Sequence, residues 1–558
     1  MFNVFFPDGK SVSCDAPTSG EELLRRLGGV QSGVPVVAWH VNHYLRPLNW
    51  IVDKDAQVSW VDLASAEGVS VFQSSLSFVL TIAARRVLGR GLRVTHSISE
   101  GTFWEVVPRP GERLNGEDEE IPAEKVSAIA AEMERIIAAD LPIRAEMTPI
   151  DEARRFFEEH ERPDKAKLLA HMWSDLPVEM ACCDGERDHF YSPMVPSTGY
   201  LRPYKLSKLA PGVVLRFPVA LSRGKLPEYR PSHKLSTVFL DYADWMRKLH
   251  VVNLVEICEA VSCDGGKELI LMSEALHAQK VAEVTQDFLS VPERRVITIA
   301  GPSGSGKTTT SHKLRIQLEV AGRHPVAISL DDYFVDRDKC PLDEDGKRDF
   351  EAVEAVDTEL LNEHIHALLT GKTVRLPRFD FYEGRRMAGA ELKLEKDDVL
   401  ILEGLHGLND KVLAAIPPQA RYGVFLSPLT SLCLDQHSRT STTDLRLLRR
   451  LIRDNRTRGN SPEATLNRWP SVVRGAARYI FPYQKNADVM FNSSLIYELP
   501  VMKPYAENLL RSVGEESPQR GEAMRLLRML RFVPAMDPRL VPSNSLLREF
   551  IGGSIIEI

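Results

Sequence analysis

A chain of 558 residues with 43% hydrophobic and 26% charged content has the balance of globular protein, and its length calls for roughly three to four domains rather than one core. The formal net charge of -7 carries no global nucleic-acid signature. Cys14, Cys182, Cys183, Cys258, Cys263, Cys340 and Cys433 lack C-x-x-C spacing, which excludes a zinc ribbon or a disulfide framework and fits a reducing, cytoplasmic setting.

Met1 to Pro7 has no basic stretch and no long apolar core, so it does not read as a signal peptide, and no uninterrupted apolar run reaches membrane-spanning length. No membrane partner is expected. Residues 2–6 and 10–14 flank the turn Pro7-Asp8-Gly9 and read as a hairpin. Thr18-Ser19-Gly20-Glu21-Glu22 is a helix start before Leu23, Leu24 and Leu27, and short strands follow up to Trp60. This order, with Pro7-Asp8-Gly9-Lys10, resembles the TGS domain of threonyl-tRNA synthetases and some GTPases, a β-grasp module over residues 1–62.

Residues 70–218 mix a helix around Ser75–Val87, turn-rich strands such as Gly101–Val106 and a helix over Lys125–Ala139. With Pro196-Ser197-Thr198-Gly199, the segment resembles the α+β second domain of threonyl-tRNA synthetases. The H-x-x-x-H and C-x-x-x-H pairs that support editing in those enzymes are missing. No histidine lies between His43 and His96, and Phe190-Tyr191-Ser192-Pro193-Met194 stands where a Cys and a His are expected. His96, His171 and His189 read as structural groups. Residues 219–290 show helical periodicity, as in Leu235, Phe239, Tyr242 and Met246, and read as a connector whose apolar stripes are packing surface.

Val296 to Ala300 is a β-branched apolar run, and Gly301-Pro302-Ser303-Gly304-Ser305-Gly306-Lys307-Thr308 fits G-x-x-x-x-G-K-[ST]. This is a P-loop: glycines let backbone N–H groups converge on phosphate oxygens, and the following helix turns its positive end to the same anion. Gly301, Ser303, Gly304, Ser305, Gly306, Lys307, Thr308 and Thr309 are the candidate nucleotide ligands. Lys307 would reach the β- and γ-phosphates, and the Thr308 hydroxyl would hold Mg²⁺. A second strand ends at Asp331-Asp332, where a carboxylate can accept the proton of an attacking hydroxyl. A third, Asp398–Gly404, carries Glu403 into position for Mg²⁺. Arg446, Arg449, Arg450, Arg453, Arg456 and Arg458 fall in one helical segment and read as a lid over phosphates rather than a solvated face.

Gly301–Thr308, Ser329–Phe334, Asp349-Phe350-Glu351, Pro377–Phe381, Glu403-Gly404 and Arg446–Gly459 together resemble the uridine kinase and phosphoribulokinase group of P-loop kinases, over about residues 295–495. The front half makes the whole chain similar to bacterial multidomain nucleoside kinases. The resemblance implies Asp331 as general base, Lys307 and Thr308 as phosphate and Mg²⁺ ligands, and Glu403 as the second Mg²⁺-side acid. It implies Arg450, Arg453 and Arg458 as lid residues, Glu351 at the ribose, and Phe350 and Phe379 at the base. Tyr333 and Arg386 complete the candidate substrate-side residues. Uridine kinases usually have Asp where Glu351 stands, His where Gly384 stands and Arg where Asn460 stands, which puts base specificity in doubt. Phe334, Phe350, Phe379, Phe381 and Tyr382 offer a stacking pocket for a flat group.

The expected fold is α/β: a P-loop NTPase kinase domain with a parallel sheet (291–500), preceded by the TGS-like, synthetase-like and connector segments. A helical tail (501–558) follows, whose apolar end must pack on the kinase domain or on a second subunit of a homo-oligomer. The expected function is ATP- and Mg²⁺-dependent transfer of a γ-phosphoryl group to the 5′-hydroxyl of a nucleoside of uridine or cytidine type. The alternatives are a sugar-phosphate kinase of phosphoribulokinase type, with Arg378, Arg385 and Arg386 for the second phosphate, and a nucleotide-switched regulator whose front half binds RNA, for which no residue speaks directly.

Overall fold

The computed structural model describes residues 1–556 apart from 30–32, 99–100, 108–119, 161, 173–175, 229–237, 239–240, 243–244, 344–345, 381 and 431. Leu235, Phe239 and Phe381 of the expectations above therefore lie outside the described residues. The chain forms two compact units. The first comprises Met1–Ser262, Ser431–Thr440 and Leu510–Pro534; the second comprises Cys263–Thr430, Ser441–Leu509 and Ala535–Ile558. The proposed connector and tail are thus not bodies of their own. Helix Leu254–Asp264 belongs largely to the first unit and helix Lys267–Leu289 to the second, while residues 510–534 and 535–558 part company.

In the first unit, strands run in the order Ser11–Cys14, Phe2–Phe5, Ala56–Asp62, Val36–Val41, Tyr44–Pro47. Phe2 pairs with Cys14 across the hairpin, which turns at Gly9 with φ +83°. Ser19 caps helix Gly20–Arg26 by accepting from Glu22 N at 3.2 Å, and Leu23 of that helix shares a core with Trp39, Leu48 and Val58. Helix Ala66–Leu88 is 23 residues long and apolar enough to cross a membrane by length and composition. In the fold it is a core helix: Phe72, Leu76 and Val79 pack with Trp104 and Leu215 of the sheet ordered Lys205–Leu209, Gly212–Arg216, Gly101–Val106, Leu92–Ile98.

A charged cluster is buried in this unit. Asp188, with 1% of its side chain exposed, accepts from Lys165 Nζ at 2.5 Å and His437 Nδ1 at 2.6 Å, with Arg162 Nη1 at 3.2 Å. Burial acts against the Asp188 carboxylate, but these three partners together hold its pKa well below the ordinary value. His96 and His189 are buried with ordinary partners, Thr95 Oγ1 at 2.9 Å and the Glu179 carbonyl at 2.9 Å. Among the described residues no group of three or more His, Cys, Asp or Glu is arranged to hold a metal ion.

The second unit is built on a parallel sheet, His324–Ser329, Asp398–Gly404, Val296–Ala300, Arg421–Ser427, Val489–Asn492. Strand alternation sends Ile297, Ile299 and Ile401 to one face, against Val281, Phe288, Leu314 and Leu318 of helices Lys267–Leu289 and Lys307–Val320. Val296, Leu400 and Leu402 go to the other, against Leu361, Ile365 and Leu368 of helix Thr358–Leu369. Both faces of the central strands are covered, which is why Val296–Ala300 and most of Asp398–Gly404 read as apolar runs.

Candidate active site

At the carboxyl end of the central strand the chain turns through residues 301–306 into helix Lys307–Val320. Gly304 and Gly306 take φ of +79° and +85°, which other residues rarely adopt. Ser493 Oγ donates to the Ser305 carbonyl at 2.6 Å, and Arg446 Nε to the Ser303 carbonyl at 2.9 Å. Arg449 holds the Gly304 carbonyl at 3.2 Å while pairing with Glu498 at 2.7 Å. The carbonyls of Ser303, Gly304 and Ser305 are thereby tied back, and of the loop's N–H groups that of Ser305 is held by the Pro302 carbonyl at 3.2 Å.

A cleft of about 770 Å³ opens over this loop, lined among others by Ser303, Gly304, Gly306, Lys307, Thr308, Asp331, Phe350, Glu351, Phe379, Glu403, Arg450, Arg453 and Arg458. Most of the expected site residues are thus brought together. Asp331 lies on the short turn Leu330–Tyr333, just past strand His324–Ser329, where Ser329 Oγ accepts from its N–H. Burial raises its pKa against the pull of Lys307 and Arg458, which makes it a better proton acceptor than a free aspartate. Burial likewise lowers Lys307, opposed by Glu403 and Asp331.

Glu403 stands at the end of its strand, with Oε1 3.3 Å from the Thr308 hydroxyl and Oε2 buried without a partner. Burial pushes its carboxyl up to about 7, against Lys307. Two hard oxygen ligands and one orphaned carboxylate oxygen beside a phosphate-binding loop suit Mg²⁺, which is commonly held by one or two protein oxygens plus phosphate.

The arginine segment is helix Thr442–Arg458, capped by Ser441. Its six arginines divide. Arg446 and Arg449 are fully buried braces of the loop, and burial brings Arg446 down to about 10. Arg450 reaches Ser303 Oγ at 2.9 Å, and Arg453 and Arg458 line the cleft. Asp454, which sequence reasoning missed, gathers three of them: Arg450 at 3.1 Å, Arg453 at 2.9 Å and Arg458 at 3.4 Å. The i, i+4 spacings of Arg450 and of Arg458 to Asp454 were its sequence signal.

On the acceptor side, Phe334 and Phe379 meet at 5.8 Å between ring centroids, and the Arg468 guanidinium lies 5.5 Å from the Phe350 centroid. Asp332 accepts from Phe379 N at 3.1 Å, which fixes the hairpin that carries this ring. Glu351 lies 4.0 Å from Arg450 and has one buried oxygen without a partner. Two expected substrate residues are corrected. Tyr333 is fully buried in the core with its hydroxyl on His364 at 3.0 Å, and Arg386 pairs with Asp357 at 2.7 Å; neither lines the cleft. Tyr382, 90% exposed, leaves the stacking set. Arg378 and Arg385 are also exposed and outside it. Gly301 and Ser305 shape the loop from beneath rather than lining the cleft, and Thr309, buried at the helix start, reaches the cleft wall only through its contact with Glu549. Arg337, Arg348 and Arg468 line the acceptor end, unanticipated from the sequence. A Cβ at Gly384 would stand 2.7 Å from Arg337 Nε, so Arg337 fills the place a larger side chain would take.

A parallel sheet, a braced Gly-rich loop and strand-end acids define a P-loop enzyme of the phosphoryl-transfer class. Residues 296–497 match the Phosphoribulokinase / Uridine kinase family. Uridine kinases of Staphylococcus aureus strains JH9 and Newman are each 34% identical over 197 residues, which make up 35% of this chain and 86% of theirs. A solved structure described as a possible uridine kinase from Bacillus stearothermophilus is similar over 36% of this chain and 88% of that one, at 20% identity and a TM-score of 0.24. The chain belongs to the phosphoribulokinase and uridine kinase family and is a kinase, a phosphotransferase.

Proposed function

We propose that the chain transfers the γ-phosphoryl group of ATP to the 5′-hydroxyl of a nucleoside. The observation that carries this reading is the convergence of Asp331, Lys307 and Glu403 on one cleft that also holds the rings of Phe334, Phe350 and Phe379. The loop N–H groups and Lys307 hold the phosphates, and Arg450, Arg453 and Arg458 neutralise the charge that develops between donor and acceptor. Asp331 orients the acceptor hydroxyl and takes its proton as the new O–P bond forms and the bond from γ-phosphorus to the bridging oxygen breaks. Thr308 and Glu403 would hold Mg²⁺, which when bound neutralises phosphate charge. The aromatic walls support a flat base, and Glu351 is the group available to the ribose hydroxyls.

A second reading has its own observation. Arg337, Arg348 and Arg468 at the acceptor end suit an anionic acceptor, such as a sugar phosphate. The deciding experiment measures ADP formation with Mg²⁺ across nucleosides, deoxynucleosides and sugar phosphates, beside the Lys307→Ala variant. Lys307-dependent turnover with a nucleoside, and recovery of its monophosphate, supports the first reading. Turnover with sugar phosphates alone supports the second, and no acceptor-stimulated turnover overturns both.

A further inference from the structure

The carboxyl-terminal residues enter the donor side of the cleft. Leu546 packs on the P-loop where Gly306 lacks a side chain: a Cβ there would lie 2.7 Å from Leu546 Cδ1. Glu549 Oε2 accepts from Thr309 Oγ1 at 2.8 Å and lies 3.4 Å from Thr309 N, the third residue of the P-loop helix. Only 6% of Glu549 is exposed. The arginine helix straps the same segment: Arg456 donates to the Glu549 carbonyl at 3.0 Å and the Phe550 carbonyl at 3.2 Å, and the Arg449 guanidinium lies 5.0 Å from the Phe550 ring centroid. Arg548, Glu549, Gly552, Gly553, Ser554 and Ile556 then form part of the cleft wall.

Helix-start N–H groups are the donors that a P-loop offers to a phosphate chain, and here one of them faces a carboxylate carried by the chain itself. Glu549 also lies close enough to Lys307 to stabilise its charge, and to Glu403 to oppose its ionisation. We infer that Glu549 is an internal competitor for the phosphate donor: it holds the anion position at the start of the P-loop helix, and a nucleotide's phosphate chain displaces it together with segment 546–551. This rests on the reading of the cleft as a triphosphate site. Donor affinity is then set partly by how firmly the carboxylate is seated, because the donor-competent form is the one with the carboxylate withdrawn. By linkage, donor binding loosens the tail to the same degree that the tail weakens donor binding.

The test uses the full chain, the unaltered protein beside Glu549→Ala and Glu549→Gln, with ATP and Mg²⁺ titrated calorimetrically. Glu549→Ala is expected to tighten ATP binding by about tenfold or more, the scale of one charge-assisted hydrogen bond, with Glu549→Gln between it and the unaltered protein. Each variant without nucleotide should melt lower than the unaltered protein; a merely structural residue would weaken stability and binding together. In the unaltered protein, ATP should speed amide exchange over 546–556. Unchanged or weaker ATP binding by Glu549→Ala, or slower exchange of the tail with ATP, overturns the inference and leaves the kinase reading standing. Absence of ATP binding from all three proteins overturns both.

Discussion

Asp331 shows how surroundings equip a single side chain for the role proposed for it. A strand-end turn aims it into the cleft, burial raises its pKa, and Lys307 keeps it ionisable. Asp331→Asn is expected to cut phosphoryl transfer by about a hundredfold to ten-thousandfold, the usual worth of a general base, with ATP affinity changed less than about threefold. Rapid-quench kinetics and calorimetry read the two quantities separately, and unimpaired transfer would remove Asp331 from the role. His406 carries the pH prediction. It is buried beside the site, and burial lowers its pKa from 6.5 to about 4. The folded form keeps it neutral while the unfolded chain takes up a proton below 6.5, so this contribution to stability is whole above 6.5 and lost as pH falls toward 4. The loss is on the order of 3 kcal/mol. His406→Gln should flatten that part of the stability-against-pH curve; an unchanged slope between pH 6.5 and 4 would exclude it. That Lys307, Thr308, Asp331 and Glu403 share one cleft was legible because a P-loop and strand-end acids are local signals, contiguous in the chain and tied to one topology. Tyr333 was misread because periodicity gives no hint that the Leu330–Tyr333 turn rotates Asp331 to the cleft and the tyrosine to the core.

At the scale of the element, the helix Thr442–Arg458 does two jobs on two faces. Arg446 and Arg449 tie down loop carbonyls, while Arg450, Arg453 and Arg458, gathered by Asp454, line the cleft. The arginine run and its period were plain in the sequence. Which arginines brace and which face the cleft depended on Ser303, Ser493 and Glu498, far away in the chain, so no window around the helix could separate them. Asp454→Asn should leave the braces intact and release the other three arginines. The expected result is a fall of about ten- to a hundredfold in kcat, the scale of misplacing a charge by an ångström, with the helix still formed by circular dichroism. An unchanged kcat would reduce Asp454 to a helix-surface charge partner.

At the scale of the whole molecule, the first unit owns three stretches of chain, and the second owns three. Asp188 illustrates the dependence, because two of its partners come from residues 162–165 and a third, His437, from far later in the chain. Asp188→Ala should cost the first unit about 3–5 kcal/mol by stranding buried cations, seen as a lowered first or second transition in scanning calorimetry; a change below about 1 kcal/mol would show the cluster relaxing freely. A fragment holding residues 263–558 alone should be poorly soluble, since Leu432, Leu434, Leu526 and Leu530 lose the unit that buries them. The sequence read in order suggested beads on a string, because order along the chain carries no information about which later segment completes an earlier core.

That routing also has a timetable. A ribosome extends a chain at about 5–20 residues per second, so tens of seconds separate the emergence of residue 262 from that of residue 534. Throughout that interval the first unit waits with part of its apolar interior unfilled. Its exposure to misfolding during synthesis is therefore fixed by the distance between its pieces along the messenger, and a finished molecule of high stability would gain no relief from it.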